Sequence, residues 1–214
     1  MNSTNSTNST TRAAVYVDVN EHGIAVVRFD APDAKVNTLS KALQSEFEAA
    51  LRQVEGESSI RAAVLISRKR DSFIAGADIG MLAACQTADE LASLARAGRR
   101  LFDALLAAGK PKVAAIDGVC LGGGLEVALA CTYRIASSNA KTSLGLPEVM
   151  LGLLPGAGGT VRLPRLVGIQ KALPMLLTGK TVKAAEAKKL GLVDAVVDPA
   201  ALEYAALLAA RQLA

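Results

Sequence analysis

Short apolar runs typical of buried strands alternate along this chain with runs of helical periodicity. The strand-like runs are IRAAVLIS, KPKVAAIDG and YRIAS, and the helical runs between them are TADELASLARAGRRLFDALLAAG and LEVALAC. Strands joined through helices in this way lie parallel in one sheet, with right-handed crossovers. The sequence therefore predicts an α/β fold, and a length of 214 residues fits one hydrophobic core.

The segments around this core follow from the same kind of pattern. AAVYVDVNEHGIAVVRFD predicts two strands around a turn at Asn20–Gly23, and Ser40 is placed to cap the amphipathic helix that follows it. Asp71–Gly80 is predicted to be a loop. Further along the chain, we expect helices packed outside the core and a short last strand at Leu192–Val197.

Two loops are candidates for a ligand site, because ligands of such folds bind where loops leave the carboxyl ends of strands. One is FIAGADIG, after the predicted strand at 62–67, and the other is DGVCLGGGLE, after the strand at 113–116. Glycines at 122–124 would let a ligand approach the N–H groups at a helix N-terminus without meeting a Cβ.

Two glutamates lie in otherwise apolar surroundings. Glu126 follows the three glycines in CLGGGLEVALA, and Glu148 lies in LGLPEVMLGLLPGAGGT. An ionised carboxylate is costly to bury without a partner, so Glu126 is either a functional group or a side chain that points to solvent from a tight turn. Two buried carboxylates beside converging backbone N–H groups are suited to moving protons next to a carbonyl.

Other chemistries have weaker support. No lysine follows either glycine cluster as in a P-loop, and GAGGTV has Val161 where a dinucleotide fingerprint has its third glycine or alanine. Because His22 is the only histidine, a serine or cysteine nucleophile lacks a histidine base, and no metal site is predicted. The modest net charge of +4 and the low aromatic content of 3% indicate no nucleic-acid partner, although the excess charge suits a phosphorylated small molecule.

The cysteines and the N-terminus bear on the compartment. Cys85, Cys120 and Cys131 lack the spacing of a disulfide framework and fit a reducing environment. Residues 1–12 repeat Asn-Ser-Thr and are predicted to be a disordered tail without the apolar region of a signal peptide. No apolar run reaches the ~18 residues of a membrane span. We expect a protein that is not secreted, cytoplasmic if bacterial and in the mitochondrial matrix if eukaryotic.

Three separated motifs, FIAGADI, GVCLGGGLEVALACTYRIA and LGLPEVMLGLLPGAGGTVRLPRLVG, occur in this order. From about Val15 to Asp198 the chain resembles the crotonase (enoyl-CoA hydratase/isomerase) superfamily. KVNTLS, IAGADIGMLAAC and LTGKTVKAAEAKKLGLVD are similar to its fatty-acid β-oxidation branch, the hydratase part of the multifunctional enzymes and of the trifunctional protein α subunit. The resemblance implies a crotonase-like ββα spiral core with flanking helices, forming one domain over residues 13–214.

The resemblance also implies roles for individual residues. The backbone N–H groups of Ala77 and Gly123 would hold the thioester oxygen in an oxyanion hole. Glu126 and Glu148 would hold the attacking water, and Asp78 would order its loop. The residues that would contact the acyl-CoA are Ala77, Asp78, Ile79, Gly80 and Gly123.

The activity implied is syn addition of water to a trans-2-enoyl-CoA in β-oxidation, with coenzyme A as part of the substrate and no separate cofactor. Δ3–Δ2-enoyl-CoA isomerisation, which needs one carboxylate, is an added or alternative activity. A different alternative is a non-catalytic crotonase-fold protein that binds RNA or a partner subunit.

The resemblance further implies a homo-oligomer, such as a trimer, or membership of a β-oxidation complex. Typical hydratases continue beyond the position of Ala214, so the chain is predicted to be a fragment truncated at its C-terminus. The apolar side of the last helix, from Leu202, would then be exposed and would drive association.

Overall fold

The computed structural model describes residues 12–214; the tail predicted for residues 1–12 lies, except for Arg12, outside the described residues. The strands are β1 (Val15–Val19), β2 (Ile24–Phe29), β3 (Ala62–Ser67), β4 (Ser72–Ile74), β5 (Lys112–Ile116), β6 (Val119–Leu121), β7 (Tyr133–Ser137), β8 (Ser143–Gly145), β9 (Val182–Lys183) and β10 (Ala195–Val197). The helices are α1 (Lys41–Gly56), α2 (Ile79–Ala83), α3 (Ala88–Ala107), α4 (Gly123–Ala130), α5 (Gly159–Val167), α6 (Ile169–Thr178), α7 (Ala184–Leu190) and α8 (Leu202–Leu213), with 3₁₀ segments at Pro147–Leu151 and Pro199–Ala201.

These strands form two sheets that the chain visits in turn. The large sheet has the order β1-β2-β3-β5-β7-β10 and the small one the order β4-β6-β8-β9. β1 and β2 form an antiparallel hairpin, whereas β2, β3, β5, β7 and β10 are parallel. Each of β3, β5 and β7 is followed by a short strand of the small sheet and then by helical structure. The predicted α/β fold, a ββα spiral with flanking helices, is confirmed.

The large sheet is covered on both faces, which explains why its central strands are mostly apolar. Alternate residues of β3 belong to two separate hydrophobic clusters, Leu65 to one and Val64 to the other. α8 packs on the second of these faces, where Leu202, Ala206 and Ala210 are buried. The expectation that the apolar side of this helix would be exposed is therefore wrong for Leu202 and Ala206, which the chain's own sheet covers, whereas Leu208 is exposed as expected.

Sequence patterns predicted the long helices and strands well and the short strands poorly. Ser40 accepts a hydrogen bond from the Leu43 N–H at the start of α1, as expected of a cap. Asp71–Gly80, in contrast, is not simply a loop, because it contains β4 and the start of α2. A three-residue strand is too short to show an alternating pattern, so only its pairing partner defines it. Within residues 12–214, no helix combines the length and apolar character that a membrane span requires.

Candidate active site

The small sheet brings the two candidate loops together. β4 and β6 are parallel neighbours, so the segments that leave their carboxyl ends, 75–77 and 122–123, lie side by side. A Cβ built on Gly123 would lie 4.0 Å from the amide nitrogen of Ala77. The loops were expected at the ends of β3 and β5; they instead follow the next strands of the spiral, in the other sheet.

The amides of Ala77 and Gly123 are both free. In the part of the chain that the structure describes, neither N–H donates a backbone hydrogen bond. Gly123 is the first residue of α4, where an N–H has no acceptor within the helix. Leu39 holds the other loop in place, since it bridges to Ala77 while its N–H donates to the Gly76 carbonyl at 2.8 Å. Two unpaired donors from different segments thus lie close together.

The glycines after β6 are required by packing as well as by any ligand. A Cβ on Gly124 would lie 2.2 Å from the carbonyl oxygen of Ile74, and one on Gly123 would lie 2.5 Å from a Leu39 methyl group. Both distances are too short for non-bonded atoms. The N-terminus of α4 can therefore approach β4 and the Ala77 loop only because these positions lack side chains.

Glu126 does not point to solvent, so that alternative is wrong. Its residue is 3% exposed, and its Oε1 accepts hydrogen bonds from the N–H groups of Ala157 and Gly159, both at 2.8 Å. Burial raises the pKa of this carboxyl group above its ordinary value, while the two N–H groups and the charge of Arg162 oppose that rise. Glu126 is thus a buried carboxylate whose ionised form has partners.

Glu148 lies in a different environment. It is half-buried at the start of a 3₁₀ segment, and its Oε2 atom has no hydrogen-bond partner among residues 12–214. Burial raises the pKa of Glu148 to about 7, and the charge of Glu126 adds to the increase. Two carboxyl groups with different environments are the arrangement expected of an acid and a base.

The raised pKa of Glu148 predicts how stability depends on pH. Its folded-state pKa of about 7 exceeds the ordinary value of 4.5, so this group's contribution is fully present below pH 4.5 and is lost as the pH rises through 7. We expect Glu148→Gln to increase the free energy of unfolding at pH 8 by about 1–2 kcal/mol, because it removes a half-buried negative charge whose cost is limited by partial exposure to solvent. At pH 4, where Glu148 is protonated, the substitution should change the free energy of unfolding little.

Urea unfolding at the two pH values measures this difference. The matched control is Glu21→Gln, at a side chain that is 87% exposed, which should leave stability nearly unchanged at both pH values. Equal stability of Glu148→Gln and the unmodified chain at pH 8 would contradict a raised pKa of Glu148 in the folded protein.

Both glutamates and both free amides line one apolar cavity of about 380 Å³. One helix, α3, supplies much of its wall. The lining residues of this helix are Ala88, Leu91, Ala92, Leu94, Ala95, Gly98 and Phe102. A cavity of this kind, apolar with a few convergent polar groups, is typical of a small-molecule site.

The structure separates the remaining predicted residues from this cavity. Asp78 caps α2 by accepting a hydrogen bond from the Met81 N–H at 3.1 Å. Ile79 is 64% exposed, and Gly80 is exposed beside it. Asp78, Ile79 and Gly80 therefore lie on the surface next to Ala77, and their contact with acyl-CoA stays a prediction. In residues 12–214, no group of three or more His, Cys, Asp or Glu side chains is arranged to bind a metal.

Asn37 is a site-building residue that sequence reasoning missed. It is fully buried, and its amide group donates to the carbonyl oxygens of Phe29 and Phe73 and to the Ser67 hydroxyl. Its backbone carbonyl oxygen accepts a hydrogen bond from the N–H of Ala75, two residues before Ala77. The sequence offered one sign of this role, a polar Asn within the motif KVNTLS. The partners of Asn37 lie in other segments, so the sequence could not show what it binds.

Comparison with known proteins shows which family this chain belongs to. The enoyl-CoA hydratase/isomerase family matches residues 19–214. The fatty acid oxidation complex subunit alpha of Shewanella amazonensis is 54% identical over 177 residues, which are 83% of this chain and 25% of that protein. The chain thus spans about a quarter of the length of this curated relative.

Solved structures show the same fold. Enoyl-CoA hydratase from Bacillus anthracis superposes with a TM-score of 0.87 at 35% identity, covering 94% of this chain and 76% of that one. DspI of Pseudomonas aeruginosa gives a TM-score of 0.86 at 34% identity, covering 97% and 83%. The resemblance inferred from the motifs is confirmed, and the chain belongs to the enoyl-CoA hydratase/isomerase family, within the crotonase superfamily.

Proposed function

We propose that this chain adds water to the double bond of a trans-2-enoyl-CoA. The observation that carries the proposal is the placement of two differently held carboxyl groups, Glu126 and Glu148, with two free amide N–H groups around one apolar cavity. Family membership supports a coenzyme A thioester as the substrate. The coenzyme belongs to the substrate, and the proposed reaction uses no separate cofactor.

Each group has one task in this proposal. The N–H groups of Ala77 and Gly123 donate to the thioester oxygen and stabilise the negative charge that develops there. Ionised Glu126 takes a proton from water as the water oxygen bonds to Cβ, and protonated Glu148 gives a proton to Cα. The double bond is lost, one C–O and one C–H bond form, and the proton on Glu126 returns to Glu148 through solvent.

The environments of the two carboxyl groups support this division. The pKa of Glu148 is raised to about 7, and its Oε2 atom has no hydrogen-bond partner among the described residues. The group can therefore hold and deliver a proton near neutral pH. The Oε1 atom of Glu126 accepts hydrogen bonds from two N–H groups, which favours the ionised form and leaves Oε2 for water. Because the two groups interact, a titration reports the pair as a whole.

Δ3–Δ2 isomerisation is a second candidate activity. The partnerless oxygen of Glu148 favours it, since one carboxyl group in this position can move a proton between two carbons of the acyl chain. A purely structural or RNA-binding role has less support, because it gives no reason for two partly uncompensated carboxyl groups at the cavity.

The setting of the reaction is also part of the proposal. The Shewanella relative is named as a subunit of a fatty acid oxidation complex. We extend this to the present chain and propose that it acts in β-oxidation, as part of such a complex or as a homo-oligomer such as a trimer. Sedimentation of the chain at micromolar concentration tests the second arrangement.

The test of the activity is to mix the chain with crotonyl-CoA and with a longer 2-enoyl-CoA, and to follow loss of the conjugated thioester absorbance. We expect a 3-hydroxyacyl-CoA product. The plot of kcat/KM against pH should fall above about pH 7, where Glu148 loses its proton, and should fall again at acid pH, where Glu126 gains one. Conversion of 3-enoyl-CoA without any hydration would make isomerase the correct activity, and no turnover of either substrate would contradict both.

A further inference from the structure

Arg162, on α5, connects the turn that holds Glu126 to the helix that walls the cavity. Its side chain is 10% exposed. One guanidinium nitrogen, Nη1, donates to the carbonyl oxygen of Ala157 at 2.6 Å, and the other, Nη2, donates to the carboxylate of Asp103 on α3. Two nitrogens of one planar guanidinium group thus donate in fixed directions to acceptors on different segments, a geometry that the single nitrogen of a lysine does not match.

The turn that Arg162 contacts is the one that binds Glu126. Ala157 donates its N–H to Oε1 of Glu126, while its carbonyl accepts from Arg162, so the two side chains hold opposite sides of one residue. Gly158 follows with a φ of 107°, and a Cβ there would lie 2.2 Å from Nη1 of Arg162. The turn therefore packs directly on the guanidinium group.

The charged groups around Glu126 are few. The positive charge of Arg162, on α5, lowers the pKa of Glu126, and Glu148 is the carboxyl group facing it from the 3₁₀ segment. Asp103 on α3 acts through Arg162, and β4 and β6 contain no charged side chain. The titratable thiols beside α4 belong to Cys120 and Cys131, and burial raises the pKa of both.

We propose that Arg162 is a positioning residue for the reaction: clamped between Asp103 and the Ala157 carbonyl, it fixes the turn so that Glu126 is held through one oxygen and keeps the other for water. This inference rests on the proposed function of Glu126 as the base. Arg162 does not line the cavity, whereas Ala157 and Glu126 do, so its effect reaches the reaction through the turn that binds Glu126.

The test compares Arg162→Gln and Arg162→Lys with the matched control Arg165→Gln, which removes the same charge from an exposed position on the same helix. We expect Arg162→Gln to lower kcat by ~10–10² with KM little changed, because a displaced catalytic group slows the chemical step more than it weakens binding. In the plot of kcat against pH, the fall on the acid side should move to higher pH, because the charge that lowers the pKa of Glu126 is lost. Arg162→Lys should keep the acid limb of the kcat profile near its original pH, because the positive charge remains, but it should not recover kcat. Arg165→Gln should match the unmodified chain in both respects.

A direct readout separates this inference from the proposed function. Carbon-13 NMR of labelled glutamate side chains, with the Glu126 signal assigned by its loss in Glu126→Gln, follows the titration of Glu126 without any substrate. If the unmodified chain hydrates nothing but the pKa of Glu126 rises in Arg162→Gln, the proposed function fails, while the action of Arg162 on Glu126 is still established.

If the unmodified chain is active while Arg162→Gln keeps its kcat, acid limb and Glu126 titration, the clamp is wrong and the proposed function stands. Circular dichroism and a melting temperature establish that each variant is folded. Should Arg162→Gln fail to fold, Asp103→Asn provides the same test. Asp103→Asn loosens the clamp, so kcat should fall. It keeps the positive charge of Arg162 and removes the negative charge beside it, so the pKa of Glu126 should fall as well. An unchanged kcat would overturn the inference.

Discussion

Replacing either glutamate by glutamine is expected to lower the rate of 2-enoyl-CoA hydration by ~10²–10⁴, because each substitution keeps the size of the side chain and removes one general acid or base. The Glu126 variant should still fold, since an amide oxygen can accept from Ala157 and Gly159 as the carboxylate does. Steady-state kinetics with crotonyl-CoA measure the loss, with circular dichroism as the folding control.

The double variant distinguishes a working pair from two independent groups. It should lose less than the product of the two single losses, because the groups act as a unit. Δ3–Δ2 isomerisation, measured on the same proteins, should suffer more from Glu148→Gln than from Glu126→Gln. Near-normal hydration by Glu126→Gln would end the two-glutamate mechanism and favour isomerase as the activity.

Removing the amide hydrogen of residue 77 should have an effect of similar size. Ala77→Pro deletes one of the two donors to the thioester oxygen, and loss of one oxyanion donor costs ~10²–10³ in rate. The Ala77 N–H makes no backbone hydrogen bond among the described residues, and the Leu39 contact uses the Gly76 carbonyl, so the neighbouring pairing should survive. Turnover of crotonyl-CoA is the measurement.

Ala77→Gly is the matched control, because it changes the side chain and keeps the N–H. It should retain most of the hydration rate, whereas a folded Ala77→Pro should not. A spectroscopic check is the absorbance of a bound conjugated thioester, which a polarising hydrogen bond shifts to longer wavelength; the shift should shrink in Ala77→Pro alone. Unaltered turnover in this variant would show that the Ala77 amide is not a donor in the reaction.

Gly123→Val cannot serve the same purpose as cleanly. A side chain there would stand in the path of the acyl thioester, so both binding and turnover should fail. The close approach of Leu39 to this position means that packing would suffer as well. Ala77 is therefore the better position at which to isolate the contribution of one donor.

Much of this architecture follows from the sequence alone. β3 and β5 were recognisable as continuous apolar runs, and α1 by its cap and the 3.6-residue spacing of its buried positions. Such signals are local, because a strand or helix long enough to span the core must repeat its pattern several times. The three motifs are local in the same way, and the family resemblance that they carry implied one site for Ala77, Gly123 and the two glutamates.

Only the tertiary structure decided how those residues are held. The N–H groups that bind Glu126 come from residues 31 and 33 positions further along the chain, and Arg162 reaches a carboxylate 59 positions before it. The small sheet was missed for the same reason, because its short strands are defined by partners distant in sequence. Burial and hydrogen bonding set the pKa of a carboxyl group, and both arise when remote segments pack together, so the difference between Glu126 and Glu148 exists only in the folded chain.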